Sequence, residues 1–224
     1  MIINYLGIIP ARSGSKGIKN KNIRKINDKE CFRYTLDPLL KSNVDKIFFS
    51  TDSIEYLNLY KEYCDIKKDV TFDYLRPIDI SNDISVSDDY IKDCLTILKS
   101  KGYIINNFVI LQPTSLFRTK EQINDVLTYH KRCNYENIKS VSFVIQTPYY
   151  MLYEDNKMVI ENKYKNRQEQ KNIYILNGAY YVYSLENYNK NIQEFNKFIM
   201  PVLEGFDLDD TNDLLLIESL LKKY

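Results

Sequence analysis

Apolar residues along this chain fall into short unbroken runs, and between those runs they recur at helical spacing. Runs rich in Ile, Val, Phe and Tyr at 3–9, 46–51, 69–74, 107–112 and 140–146 predict strands. The segments at about 31–42, 54–64, 87–100 and 119–132 predict helices. Ser87 stands at the start of one of them, and Thr119 and Gln122 have the spacing of a capping box at another. Strands alternating with helices imply right-handed βαβ units and a mostly parallel, three-layer α/β sheet.

The rhythm changes after residue 147. Residues 149–153, a polar turn at 154–157 and residues 158–161 predict a β-hairpin, followed by a charged stretch and a strong strand at 172–183. The tyrosines here exceed what a small excursion needs for its own core. Residues 148–172 are therefore expected to form an arm inserted in a domain made of 1–147 and 173–224. Either the arm associates with a second copy, as aromatic ribbons do, or it folds back on its own domain. A helix at 211–223, with an inward stripe of Leu214, Leu215, Ile217, Leu220 and Leu221, closes the chain.

Composition narrows the function. The 224 residues are 44% hydrophobic and 27% charged, ordinary for a domain with a full core. Net charge is +1, from 31 basic and 30 acidic side chains, so no global field favours nucleic acid or an anionic membrane. Any anion site must be local. Cys31, Cys64, Cys94 and Cys133 form no CxxC pair, and with the single His130 they assemble no zinc set. They read as reduced thiols, and His130 reads as a surface helix position. No basic leader with an apolar stretch and no membrane-length run occurs, so a cytoplasmic protein is expected.

Candidate chemistry gathers where the strands end. After the first strand come Arg12, Ser13, Gly14, Ser15, Lys16 and Gly17, then Lys21 and Asn22. Small residues let successive N–H groups face one concavity, and the cations add compensating charge. The alternative is an ordinary Gly/Ser turn. Arg76-Pro77 through Ser85 and Ser87, and Gln112-Pro113-Thr114-Ser115 with Arg118, fall at the same sheet edge, where open α/β sheets bind ligands. Asp207 and Asp209, two residues apart in an extended segment, can present both carboxylates to a Mg²⁺ ion, whereas Asp210 and Asp213 suit a helix N-terminus. The chain has no GxxxxGK[ST], GxGxxG or GxSxG motif, and no nucleophilic triad is credible with one histidine.

Ile9-Pro-Ala-Arg-Ser-Gly-Ser-Lys-Gly17 with Lys21-Asn22 resembles the signature of the acylneuraminate cytidylyltransferases, the CMP-sialic acid synthetases and their relatives for legionaminic and pseudaminic acids. The resemblance continues through Arg76-Pro77, Leu111–Ser115 with Arg118, Arg167-Gln168, Asn177-Gly178-Ala179 and Asp207-Leu208-Asp209, nearly the whole chain. It implies a Rossmann-like domain of the nucleotide-diphospho-sugar transferase type, a hairpin arm exchanged across a homodimer, and transfer of CMP from CTP to an acidic nine-carbon sugar. It implies that Arg12, Ser13, Gly14, Ser15, Lys16, Lys21 and Asn22 bind CTP phosphates, with Arg76, Ser85 and Ser87 around cytosine. Gln112 would face the nucleotide–sugar junction, and Thr114, Ser115, Arg167, Gln168, Asn177 and Tyr181 the sugar. Asp207 and Asp209 would hold Mg²⁺, or Mn²⁺ in its place, and share the catalytic work with Arg12 and Lys21. The family's usual Pro-Thr-Ser-Pro-Leu-Arg is Pro-Thr-Ser-Leu-Phe-Arg at 113–118, so the sugar's identity stays open. The competing readings are a nucleotidyltransferase for Kdo or a sugar 1-phosphate, and a non-catalytic nucleotide-binding protein.

Overall fold

The computed structural model describes residues 1–144, 148–159 and 171–223. Its strands are β1 (Ile2–Pro10), β2 (Lys25–Ile26), β3 (Lys29–Glu30), β4 (Lys46–Ser50), β5 (Ile104–Ile110), β6 (Ile138–Phe143), β7 (Tyr174–Ser184) and β8 (Asn196–Met200). Its helices are α1 (Arg33–Leu40), α2 (Ile54–Tyr63), α3 (Ser87–Ser100), α4 (Lys120–Arg132), α5 (Leu185–Asn189) and α6 (Thr211–Leu221). Six strands form one sheet in the order β4-β1-β5-β7-β6-β8, in which β7 alone runs against its neighbours. This is the expected mostly parallel three-layer α/β architecture.

Burial on both faces explains the unbroken apolar runs. In β4, Ile47 and Phe49 face the layer of α1, α2 and α4, while Phe48 faces α3 on the other side. In β5, Val109 takes the first face and Phe108 and Ile110 the second. Each of these side chains contributes about 1.5–3 kcal/mol by leaving water. Phe49 stacks on Tyr60 of α2 with ring centroids 4.5 Å apart. The Thr119–Gln122 capping box is present with both of its hydrogen bonds.

The expected inward stripe of α6 fails at Leu215, which is exposed. The strand expected at 69–74 reduces to one bridge, Ile47↔Asp69. The Thr71 hydroxyl accepts the Phe49 N–H in place of a backbone carbonyl, and Phe72 turns to a φ of 59°, which ends any pairing. Two features carry no strong periodic signal and were not anticipated. One is the β2–β3 hairpin, turned by Asn27 and Asp28 at positive φ; the other is the edge strand β8. Ser87 is the first residue of α3 rather than its cap, and the Asp89 carboxylate accepts the Val86 N–H there. Within the 148–172 segment, Leu152 pairs with Met158 around a turn, as a hairpin would; residues 160–170 lie outside the described residues.

His130 is not a surface residue. It is fully buried, with its Nδ1 3.0 Å from the Tyr5 hydroxyl and its Nε2 without a partner among the described residues. Burial pushes its pKa down from 6.5 to about 4, against a weaker opposing contribution from the Tyr135 backbone. Between those values the unfolded chain takes up a proton that the folded chain refuses. Stability therefore falls as pH drops through that window, by about 3 kcal/mol once it is crossed. Urea unfolding at pH 7 and pH 4 should show this loss in the wild type and a smaller loss in His130→Phe. An equal loss in both would contradict it.

Candidate active site

β1, β4 and β5 run parallel, so the loops following them meet at one edge of the sheet. The loop after β1 is held from several sides. Ser13 donates its N–H and its hydroxyl to the two oxygens of Asp52, each at 2.7 Å. Asn22 donates to the Arg12 carbonyl at 3.0 Å. Lys21 donates to the Leu208 carbonyl at 2.9 Å and pairs with Asp209 at 3.3 Å. Gly17 lies so close to this second segment that a Cβ would sit 2.4 Å from the Asp209 carbonyl oxygen. The loop after β1 and the Asp207–Asp209 segment are thus in direct contact.

The second loop follows β4 at a distance in sequence. Arg76 is buried, donating Nε to the Ser50 hydroxyl at 3.0 Å and Nη2 to the Ser50 carbonyl at 2.6 Å, with its guanidinium over the Tyr90 ring. Burial lowers its pKa. Beyond it, the Asn82 side chain accepts the N–H groups of Ile84 and Ser85, forming an Asx turn. That turn projects Asp83 onto Arg12 at 2.8 Å and Lys16 at 2.7 Å.

The third loop is organised by Arg118. It is buried, and it donates to the Thr35 hydroxyl, the Gln112 carbonyl and the Ala179 carbonyl. These bonds bring Gln112 against Gly178, whose φ of +73° favours glycine and where a Cβ would meet the Gln112 amide oxygen at 2.9 Å. Arg118 is therefore a brace rather than a ligand contact. Ser115 is fully buried, its Oγ without a hydrogen-bond partner among the described residues, which does not suit its expected role at the sugar. Asn177 is saturated by Ser140, Ser142 and the Ala179 N–H, and Gly205 fits only because it lacks a Cβ.

Asp207 and Asp209 lie between these loops. Asp207 Oδ1 is buried with no hydrogen-bond partner among the described residues. Burial raises the Asp207 pKa, Asp209 raises it further, and Thr114 and Lys21 oppose the shift. A partly desolvated carboxylate with an unmet oxygen beside a second carboxylate fits a hard divalent cation. The described residues contain no cluster of three His, Cys, Asp or Glu, so such an ion would take its remaining ligands from phosphate oxygens and water. Asp210 and Asp213 cap α6 in a capping box, as expected.

Two cavities open at this edge. One of about 290 Å³ is lined by Arg12, Ser15, Lys16, Lys21, Asn22, Arg76, Ser85, Ser87, Gln112, Thr114, Asp207 and Asp209. A second of about 520 Å³ is lined by Asn177 and Tyr181 and by the apolar Phe143, Ile175, Leu176, Val202 and Phe206. Gln112, Asp207 and Asp209 line both. Ser13 and Gly14 line neither: Ser13 is spent on Asp52, and Gly14, with a φ of +70°, turns the loop in open space. Arg167 and Gln168 lie outside the described residues. Sequence reasoning missed Asp52, whose position directly after β4 was the available signal, and Ser140 and Ser142, which strand alternation conceals.

Fold and site together define a Rossmann-like α/β protein with a cation-rich cleft bordered by two carboxylates. A family model described as cytidylyltransferase matches residues 6–223, and the chain belongs to that family. It is 32% identical over 217 residues to an N-acylneuraminate cytidylyltransferase of Streptococcus agalactiae, covering 92% of this chain and 50% of that protein. It is 30% identical to post-translational flagellin modification protein B of Campylobacter coli, covering 96% and 94% of the two chains. With a CMP-N,N'-diacetyllegionaminic acid synthase of Legionella pneumophila it shares 27% identity over 98% and 97%. The chain thus spans half the length of the Streptococcus agalactiae relative and nearly all of the other two. Among solved structures, a CMP:2-keto-3-deoxy-manno-octonic acid synthetase complexed with CTP superposes with a TM-score of 0.69 at 13% identity, covering 98% of this chain and 99% of that one, a likeness of fold.

Proposed function

We propose that this chain transfers CMP from CTP to an acidic nine-carbon 2-keto sugar, releasing pyrophosphate. The observation that carries the reading is the sharing of Gln112, Asp207 and Asp209 by a cationic cavity and a larger, more apolar one. The cations of the first suit a triphosphate, and the apolar lining of the larger second suits an acylated sugar. The reacting atoms then meet at the shared wall. The names of the relatives, N-acylneuraminate cytidylyltransferase and CMP-N,N'-diacetyllegionaminic acid synthase, support the same pairing of substrates.

In this reading the sugar's anomeric hydroxyl attacks the α-phosphorus. The new C–O–P linkage forms as the bond to pyrophosphate breaks, and the hydroxyl proton passes to solvent. Arg12, Lys16 and Lys21 neutralise charge that builds on the departing pyrophosphate, and Gln112 orients the junction. Arg76 and the Ser85 and Ser87 loop border the base. Mg²⁺, with Mn²⁺ able to replace it, would be held by Asp207 and Asp209, where it would offset phosphate charge and favour ionisation of the sugar hydroxyl. Rigid anchoring of both segments through Lys21 supplies the in-line positioning such transfers require.

The 148–172 arm is assigned to a homodimer contact, supported by the exposed Leu152 and Tyr153 on its hairpin. No described helix is long and apolar enough to cross a membrane; a cytoplasmic location is assigned as part of this reading. Pyrophosphate release should be followed with each nucleoside triphosphate and a panel of sialic, legionaminic and pseudaminic acids, with Kdo included. Release with CTP and at least one nine-carbon acid is expected. Release with Kdo alone, or CTP binding without any release, would overturn the assignment.

A further inference from the structure

The cleft's two most exposed cations are already partnered. Asp83 places one carboxylate oxygen 2.8 Å from Arg12 and the other 2.7 Å from Lys16. Arg12 and Lys16 belong to the loop after β1, whereas Asp83 is held out by the Asx turn that Asn82 forms on the loop beyond Arg76. A carboxylate divided between two cations reproduces what a phosphate group would offer them: two oxygens and negative charge. A polyphosphate that takes the donors now turned toward Asp83 must displace its carboxylate.

We infer that Asp83 is an internal competitor for the polyphosphate site: it yields Arg12 and Lys16 to the incoming triphosphate and reclaims them as pyrophosphate leaves. The two states exchange ion pairs instead of breaking them outright. An arriving triphosphate trades places with a carboxylate, and the departing pyrophosphate leaves no bare cations behind it. Unlike Asp52, which spends both oxygens on Ser13 deep in the loop, Asp83 meets side chains that are themselves solvent-accessible. Accessible pairs of this kind are weak enough to exchange. Asp83 also shares its loop with Ser85, which lines the same cavity, so release of the carboxylate frees the segment that borders the base.

The cost that Asp83 imposes on any ligand is the strength of two exposed ion pairs. Removing its charge should therefore tighten polyphosphate binding about two- to thirtyfold. The turnover consequence rests on the cytidylyltransferase reading, whereas the binding consequence does not. Inorganic pyrophosphate should be titrated calorimetrically into wild type, Asp83→Asn and Asp83→Ala, in buffer with EDTA so that no divalent ion intervenes. Thermal melts establish that each variant is folded. Tighter pyrophosphate binding in both variants, with stronger product inhibition by pyrophosphate during turnover, is the expected result. Unchanged or weaker binding in folded variants would overturn the inference, because Asp83 would then be a brace for the loop. Absence of CTP binding in the wild type, with the pyrophosphate difference intact, would count against the nucleotide reading and leave the competitor role standing.

Discussion

Asp207→Asn should lower turnover about a thousandfold while leaving the fold intact. The substitution keeps the shape of the side chain but removes the charge a divalent ion would meet. Asp207 Oδ1 is buried without a partner among the described residues, and burial together with Asp209 raises its pKa. A residue kept this way in the free protein costs stability, so neutralising it should leave the melting temperature unchanged or higher. A purely structural carboxylate would behave in the opposite way, with activity and stability lost together. Steady-state pyrophosphate release and a thermal melt on the same preparation separate the two. A fall of less than tenfold in a folded variant would contradict the metal assignment.

Gly17→Ala should cost about a hundredfold in turnover although alanine adds a single methyl group. Its Cβ would stand 2.4 Å from the Asp209 carbonyl oxygen, about 1 Å inside ordinary contact, and that atom is backbone rather than a yielding side chain. Either the loop carrying Arg12 and Lys16 or the segment carrying Asp207 and Asp209 must retreat. Displacement of about 1 Å at reacting groups costs on the order of 10² in rate. Because Lys21 ties the same two segments together, the strain cannot be absorbed without loosening its bond to the Leu208 carbonyl. The loss should fall mainly on kcat if the carboxylates move, and on the KM for CTP if the loop moves. Near-normal values of both would show that the close approach is not needed.

The sheet was legible because most of its strands are buried on both faces and their runs are consequently unbroken. The site was legible because parallel strands bring their following loops to one edge, whatever the ligand. What escaped were arrangements in which a side chain does the work of a backbone group or pins a loop from afar. Thr71 replaces a ladder bond, which erased a strand expected from its apolar residues. Asp52 consumes the donors of Ser13, and Arg118 anchors three carbonyl or hydroxyl groups in place of meeting a ligand. His130 occupies a polar-looking helix position that the packing of Tyr5 and Tyr135 turns inward. None of these pairings has a fixed spacing in sequence, because each joins residues brought together only by the fold.

The product formed at the wall shared by the two cavities decides the function. Phosphorus NMR of the protein with CTP, Mg²⁺ and a nine-carbon sugar acid measures this directly. The predicted spectrum gains a single phosphodiester resonance, from a CMP-sugar, and pyrophosphate in equal amount as CTP disappears. Appearance of CDP with inorganic phosphate, or unchanged CTP with every acid tried, would contradict it.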